Sequence, residues 1–323
     1  MNWPKIIKNF PEANFLQSPN YAKMNSSLNN KVITEEIEDG SGYALMIVRN
    51  AKRGRYLEIP CGPLINWQDQ KTIKKTISKI TEIAKREKCV FVRMRPQLPA
   101  TKENLKLLEN IGLKKSPMHL AAEHTVMIDL KKSEDELLAN MRRQTRYEVR
   151  RADKLNIRVE NSNSEELFKE FHKIQVATAK RQKFIPPDLK TLLAERESLN
   201  STIYVAKTED NQPIAYGLII KEGKEGDYYE AASTDLNRKL PGAYALLWQV
   251  IKDLKKEGYE RFNLWGIAPA NQPNHRYAGV TTFKTGFGGE IIEYVPAHDL
   301  VISKIKYLKN LAVETVRKKK RHL

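Results

Sequence analysis

Cysteine is scarce. The chain of 323 residues holds two, Cys61 and Cys89, with six histidines. Two thiols make no disulfide framework, and no Cys/His spacing resembles a zinc site. His119 and His124 stand five apart near a strand, which is poor metal geometry, so no metal is expected and both thiols read as small core residues. Long apolar runs are missing as well. No stretch approaches the roughly 20 residues of a membrane span, and the opening MNWPKIIKNFPEANF lacks an apolar signal region. The expectation is a cytoplasmic protein.

What is abundant is positive charge. Lys and Arg number 56 against 39 Asp and Glu, a formal net charge of +17. Such an excess speaks for a polyanionic partner: nucleic acid, anionic lipid or a phosphorylated substrate. The length suits two domains, and 41% hydrophobic residues suffice for globular packing.

Two regions repeat one pattern. In the first, RYLEIP leads through CGPLINWQ into TIKKTISKITEIAKREK and then CVFVRMRP. In the second, DYYEAAST leads through DLNRKLPGAY into ALLWQVIKDLKKEG and then YERFNLWGI. Ile73, Ile77, Ile80 and Ala84 follow the helical period, as do Leu247, Val250, Ile251 and Leu254. Strand, turn, helix and strand with an acyl or phosphate site at the turn form the core of the GNAT acyltransferase fold. The repetition implies an α/β (α+β) chain of two GNAT-like domains; two ordinary βαβ units are the alternative. The expected division is 1–132 with the C-terminal helix 300–323, and 133–299, with a substrate cleft in the first domain or between the two.

Between the repeats, Ser133 and Glu136 form a capping-box signature that starts a helix. Continued at about 100° per residue, that helix sets Leu137, Leu138, Met141 and Val149 on one arc. Arg142, Arg146 and Arg150 form an i, i+4 ladder off it, beside Arg143 and Arg151. A solvated helix normally mixes its signs, so this face reads as either an anion-binding surface or a plain exposed one. Further on, SEELFKEFHKIQVATAKRQKF turns Leu167, Phe171 and Ile174 inward and delivers Arg181 to its end before Pro186-Pro187. A last helix sets Ile302, Ile305, Leu308, Ala312 and Val316 on one side. RKKKRHL follows, a solvated tail or a grip for RNA or anionic lipid.

The stretch TTFKTGFGGE places Lys284 between Phe283 and three glycines. Glycine lets backbone approach a ligand closely, and a lysine there could neutralise an oxyanion or phosphate. A glycine-rich hairpin with a solvated lysine is the other reading.

The chain resembles the Fem (FemABX) family. The matching pieces are FLQSPNYAK, HTVMIDLKKSEDELLANMRRQTRYEVRRADKLNIRVE, ATAKRQKF, YYEAASTD, LPGAYALLWQVIKDLKKEGYERFNLWGI and TTFKTGFGGEIIEYVPAHDLV, in the family's order over nearly the whole chain. The resemblance implies transfer of an amino acid from aminoacyl-tRNA to an amine on the stem peptide of a peptidoglycan precursor, either UDP-MurNAc-pentapeptide or lipid II. Aminoacyl-tRNA is then a co-substrate, and no other cofactor is implied. PPDLKTLLAERESLN is too short for the coiled-coil arm of some members, so the chain looks like the armless, FemX-like type. A peripheral contact with the anionic inner membrane face is a further expectation.

On this resemblance Lys284 is the catalytic residue, stabilising the oxyanion and placing the tRNA 3′ end. Phe283 either stacks on a terminal base or belongs to the core. Gly286, Arg142, Arg146 and Arg150 are the other tRNA-binding residues. Arg181, Tyr228, Glu230 and Lys23 are the precursor-binding residues. The match is uneven: Ile185 stands where a Tyr is expected, Glu230 replaces a second tyrosine, and Arg95 stands where an acidic residue is common. Lys23 follows Tyr21 by two residues rather than one. By a strand's period of two, Tyr228 and Glu230 share one face.

Two rival readings are a GNAT enzyme using acetyl-CoA and a non-catalytic RNA-binding protein. The first needs a Gln/Arg-x-x-Gly-x-Gly/Ala loop around the pyrophosphate; Arg238-Lys-Leu-Pro-Gly-Ala243 lacks its first glycine. The second would have no use for the Lys284 turn. A related rival within the fold is tRNA-dependent transfer onto a protein N-terminus or a lipid.

Overall fold

The computed structural model describes residues 2–37, 40–182, 185–270, 272 and 275–321, the last three for their backbone alone. Residues 183–184 of ATAKRQKF and 322–323 of the basic tail lie outside the described residues, as do the side chains of 319–321. The chain divides into two compact units, Met1–Glu123 with Glu293–Leu323, and His124–Ile292.

In the first unit, strands run in the order Lys31–Ile37, Gly42–Ala51, Gly54–Pro60, Cys89–Arg95, His298–Val301 and Lys114–Lys115, with Leu64–Ile65 paired to the second. Neighbours are antiparallel except Gly54–Pro60 and Cys89–Arg95, which are parallel. A parallel pair needs a crossover, and the helix Gln70–Arg86 supplies it. Asp69 caps that helix by accepting from the Lys71 amide. Its Ile73, Ile80, Ile83 and Ala84 pack with Met46, Leu57, Val92 and Met94. Cys61 and Cys89 are buried free thiols.

Arg93 and Asp299 face each other inside this unit. The guanidinium reaches Asp299 through Nε at 2.8 Å and Nη2 at 2.9 Å, and Glu314 at 2.8 Å. Tyr307 adds a hydroxyl donor to Asp299 at 3.1 Å. Burial by itself lowers the Arg93 pKa, but the bonds and charges of Asp299 and Glu314 outweigh it and drive the value up.

The terminal helix Lys304–Arg321 turns its apolar side outward. Tyr307 and Asn310 are buried, whereas Ile305, Leu308 and Val316 are exposed. The anchoring is polar and aromatic: Tyr307 packs edge-on to Phe91, Asn310 accepts from Arg53, and Glu314 meets Arg93.

The second unit has a sheet ordered Glu290–Glu293, His124–Asp129, Arg261–Gly266, Glu225–Ser233, Pro213–Glu222, Ser201–Lys207 and Arg158–Ser162. Alternate residues of its strands face two clusters. Tyr204, Ala206, Ala215 and Ile219 join Leu246, Leu247, Val250 and Phe287; Ile203, Val205, Tyr216 and Leu218 join Phe168, Phe171 and Leu192. Helix Gly242–Lys256 therefore covers one face, and Glu165–Gln182 with Leu189–Ser198 covers the other. Here too the crossover helix joins parallel strands, Glu225–Ser233 and Arg261–Gly266.

The capping box at Ser133 is present in full, with Glu136 reciprocating. The single long helix expected after it is instead two, Glu134–Asn140 and Arg143–Lys154. Met141 and Arg142 between them are extended, with ψ of 149° and 143°. The break has a distant cause: the Arg142 amide donates to the Gly286 carbonyl at 2.9 Å. Among the described residues no helix is long and apolar enough to cross a membrane.

Candidate functional site

The parallel pairing of Glu225–Ser233 with Arg261–Gly266 lasts only three residues, ending at Asp227 opposite Asn263. Beyond that the strands diverge, and the opening is where the conspicuous side chains collect. Register against Pro213–Glu222 slips between Leu218, opposite Glu230, and Ile219, opposite Tyr228. Tyr229 is therefore the extra residue of a β-bulge. The bulge overturns the expectation that Tyr228 and Glu230 share a face. Tyr228 joins the cluster of Leu246 and Leu247, while Glu230 accepts from Gln175 of helix Glu165–Gln182 at 2.6 Å.

Lys284 lies in the last turn of the helix Ala278–Thr285, not in a hairpin, and it is 8% exposed rather than solvated. Its Nζ donates to the Gly266 carbonyl at 2.9 Å and sits 5.6 Å from the centroid of the Tyr228 ring. It thereby spans the two diverging strands. No carboxylate pairs with it among the described residues, and burial lowers its pKa to about 7. An ammonium has three donors; with one on Gly266, two remain for an incoming anion, whose charge would in turn hold the proton on nitrogen.

The carbonyl that receives Lys284 is aimed by a residue that sequence reasoning missed. Trp265 has φ of 58°, a conformation costly for a bulky side chain. Asn263 Oδ1 accepts its amide at 2.9 Å, and the Thr125 hydroxyl lies 2.5 Å from Asn263 Oδ1 and 3.2 Å from the Trp265 carbonyl oxygen. The Trp265 ring meets Tyr229 edge-on at 5.4 Å. A tryptophan followed by glycine at a strand end was the available signal.

The glycines after Lys284 serve close packing of protein on protein. A Cβ on Gly286 would strike Thr145 and come 2.9 Å from Arg142 Nη2; on Gly288 it would lie 2.8 Å from the Asn140 oxygen, and on Gly289 2.6 Å from that of Met127. Gly288 and Gly289 also have positive φ. Phe283 is half-buried in an aromatic group, 5.0 Å from Tyr244 and 5.4 Å from Phe287 by ring centroids.

The arginines are less free than their spacing implied. Arg142 donates to the Thr282 carbonyl at 3.0 Å. Arg146 donates to the carbonyls of Ala139 and Met141, completing the end of the preceding helix. Arg151 reaches Glu148 and the Lys239 carbonyl. Arg143 and Arg150 are exposed.

On the opposite face of the sheet, Arg181 donates to the Ser233 carbonyl at 2.9 Å and stands 3.5 Å from Asp235. Arg181 and Glu230 thus both address the later half of the bulged strand. Burial raises the Glu230 pKa to about 7, against the lowering bond from Gln175. Glu195, unnoticed in the sequence, is also buried. Its pKa is raised first by burial and then by the charge of Glu230, and its Oε2 has no hydrogen-bond partner among the described residues. Lys23 belongs to the other unit, exposed on the helix Pro19–Ser27. Arg95, in that same unit, is 1% exposed and donates to Gln97 and to Cys61 Sγ, with its guanidinium 4.9 Å from the Tyr294 ring centroid.

Comparison with known proteins agrees with this architecture. The chain is 21% identical over 343 aligned residues to the aminoacyltransferase FemA of Staphylococcus aureus strain MRSA252, covering 79% of this chain and 81% of that one. Among solved structures it superposes on FemX with a TM-score of 0.84 at 16% identity, over 94% of this chain and 96% of that. The C-terminal domain of a putative lysylphosphatidylglycerol synthetase from Agrobacterium fabrum gives 0.60 at 12% identity, covering 96% of each. The fold is a mixed α/β one of two units, each with its own sheet, as the sequence repeat implied, and it is the fold of FemX. The family model described as "FemAB family" matches residues 3–190 and 185–314, so the chain is a member of the FemAB family.

Proposed function

We propose that this chain is an aminoacyltransferase of peptidoglycan bridge synthesis, taking its amino acid from aminoacyl-tRNA. The acceptor is an amine on the stem peptide of UDP-MurNAc-pentapeptide or lipid II. In the reaction the amine, once deprotonated, attacks the ester carbonyl. A tetrahedral oxyanion forms, the bond to the ribose oxygen breaks, that oxygen takes up a proton, and an amide remains. The ester is already activated, so positioning and charge stabilisation carry most of the rate.

The observation that carries this reading is Lys284: a buried ammonium without a carboxylate partner, at the mouth of two diverging strands, with donors to spare. Its role is to meet the oxyanion. Phe283 and the exposed Arg150 are assigned to the tRNA end, while Gly286, Arg142 and Arg146 are engaged within the protein and shape the surface beside it. Arg181 and Glu230, on one face of the second unit's sheet, are assigned to the precursor, and the working location is the cytoplasm, where charged tRNA is found.

The deciding experiment incubates the protein with a pool of aminoacyl-tRNAs and both precursors and weighs the products. A precursor heavier by one amino-acid residue is expected. Retention of tRNA without product would favour an RNA-binding protein, and acylation from acyl-CoA alone would favour the CoA-dependent rival; either overturns the reading.

A further inference from the structure

The terminal helix Lys304–Arg321 buries one side and leaves an aliphatic stripe in water on the other. Ile305, Leu308 and Val316 are 75%, 62% and 54% exposed, and Ala312 between them is exposed too. At about 100° per residue these four fall within roughly 80° of arc, directly opposite Tyr307 and Glu314. Lys304 borders the stripe on one side and Lys309 on the other, with Lys306 and Arg317 beyond. None of these four cations has an ion pair among the described residues. Glu314, the helix's one acidic residue, is turned inward onto Arg93. The outward surface is therefore apolar in the middle and cationic at its margins.

We propose that this stripe seats the protein on the surface of an anionic lipid bilayer, with the helix axis parallel to the membrane plane. An aliphatic stripe with lysine margins is the pattern of an interfacial helix, whose apolar face enters the headgroup boundary while its cations meet lipid phosphates. RNA is a poorer occupant, since aliphatic side chains offer no stacking surface and no hydrogen bonds to bases. A second copy of the chain is poorer still, because pairing two such stripes sets cation against cation.

The test is co-sedimentation of the full chain with vesicles of phosphatidylcholine alone or mixed with phosphatidylglycerol. Binding to the mixed vesicles is expected, weakening as salt rises. Ile305→Asp with Leu308→Asp should reduce it by at least about tenfold. Lys306→Gln with Lys309→Gln should reduce it by roughly tenfold or more on mixed vesicles only. Both pairs point into solvent, so thermal unfolding should stay at the wild-type temperature. Absence of wild-type binding, unchanged binding of the aspartate variant, early melting of that variant, or a dimer that it abolishes would each overturn the proposal. Binding is read without substrate, so the result stands apart from the transfer reaction.

Discussion

Two side-chain groups, one in each unit, bury charge in opposite ways. In the first, Arg93, Asp299, Glu314 and Tyr307 form a closed set in which each charge meets its counterpart at 2.8–3.1 Å. In the second, Lys284 has a carbonyl and a ring, and Glu195 keeps an oxygen with no partner among the described residues. The matched set offsets the desolvation of Arg93, although burial still raises the Asp299 pKa, and it leaves no partner for a ligand to supply. An unmatched one costs stability in the free protein, and that cost is recovered only when a ligand supplies the missing partner. The difference separates a structural network from a working site.

Breaking the matched set should have the largest consequence. Asp299→Ala leaves Arg93 buried with half its partners and is expected to destabilise by roughly 3–5 kcal/mol, read by urea unfolding; a loss below 1 kcal/mol would remove the contrast. Next comes Lys284→Met, which should lower aminoacyl transfer by about a hundredfold to a thousandfold while the protein stays folded. Near-normal turnover would show that the unmatched lysine does no chemistry.

The same substitution should raise stability. Folding lowers the Lys284 pKa from 10.5 to about 7, so the folded state holds fewer protons than the unfolded one between those values. The wild type then gains stability as pH rises through that window and bears the full burial cost below it. Lys284→Met is accordingly expected to be more stable by roughly 3 kcal/mol at pH 6, after loss of the bond to Gly266, with the gain gone above pH 10.5. Glu230 has the reverse sign. Its folded pKa is raised from 4.5 to about 7, so stability falls as pH rises between the two. Glu230→Gln should be more stable by roughly 3 kcal/mol above pH 7 and indistinguishable near pH 4; a pH-independent difference would show that this carboxylate is not strained by burial.

Much of the architecture was legible because it is local. The crossover helices announced themselves through Ile73, Ile80 and Leu247, Val250, whose spacing needs no knowledge of the partner sheet. Ser133 and Glu136 capped each other across three residues. Features set by distant partners were not legible. The break at Met141 and Arg142 depends on a carbonyl at Gly286, and the slip at Tyr229 appears only against the neighbouring strand. Lys284 was singled out, yet its burial in a helix was invisible, since TTFKTGFGG has turn residues in plenty and the helix is held from outside. Which side of the terminal helix would be buried was not legible for a related reason: its apolar spacing is real, but it is Tyr307, Asn310 and Glu314 that find partners in the first unit. Glu195 carried no signal, because its meaning depends on Glu230 arriving beside it from another element.

The slip at Tyr229 also has a consequence for how this site can change. One supernumerary residue sends Tyr228 toward the lysine and Glu230 toward Gln175, so two side chains a single residue apart work in separate chambers. A substitution at 230 can retune what the carboxylate chamber accepts while the aromatic floor under the ammonium stays as it is. Excising the supernumerary residue would merge the two duties onto one wall and forfeit that independence.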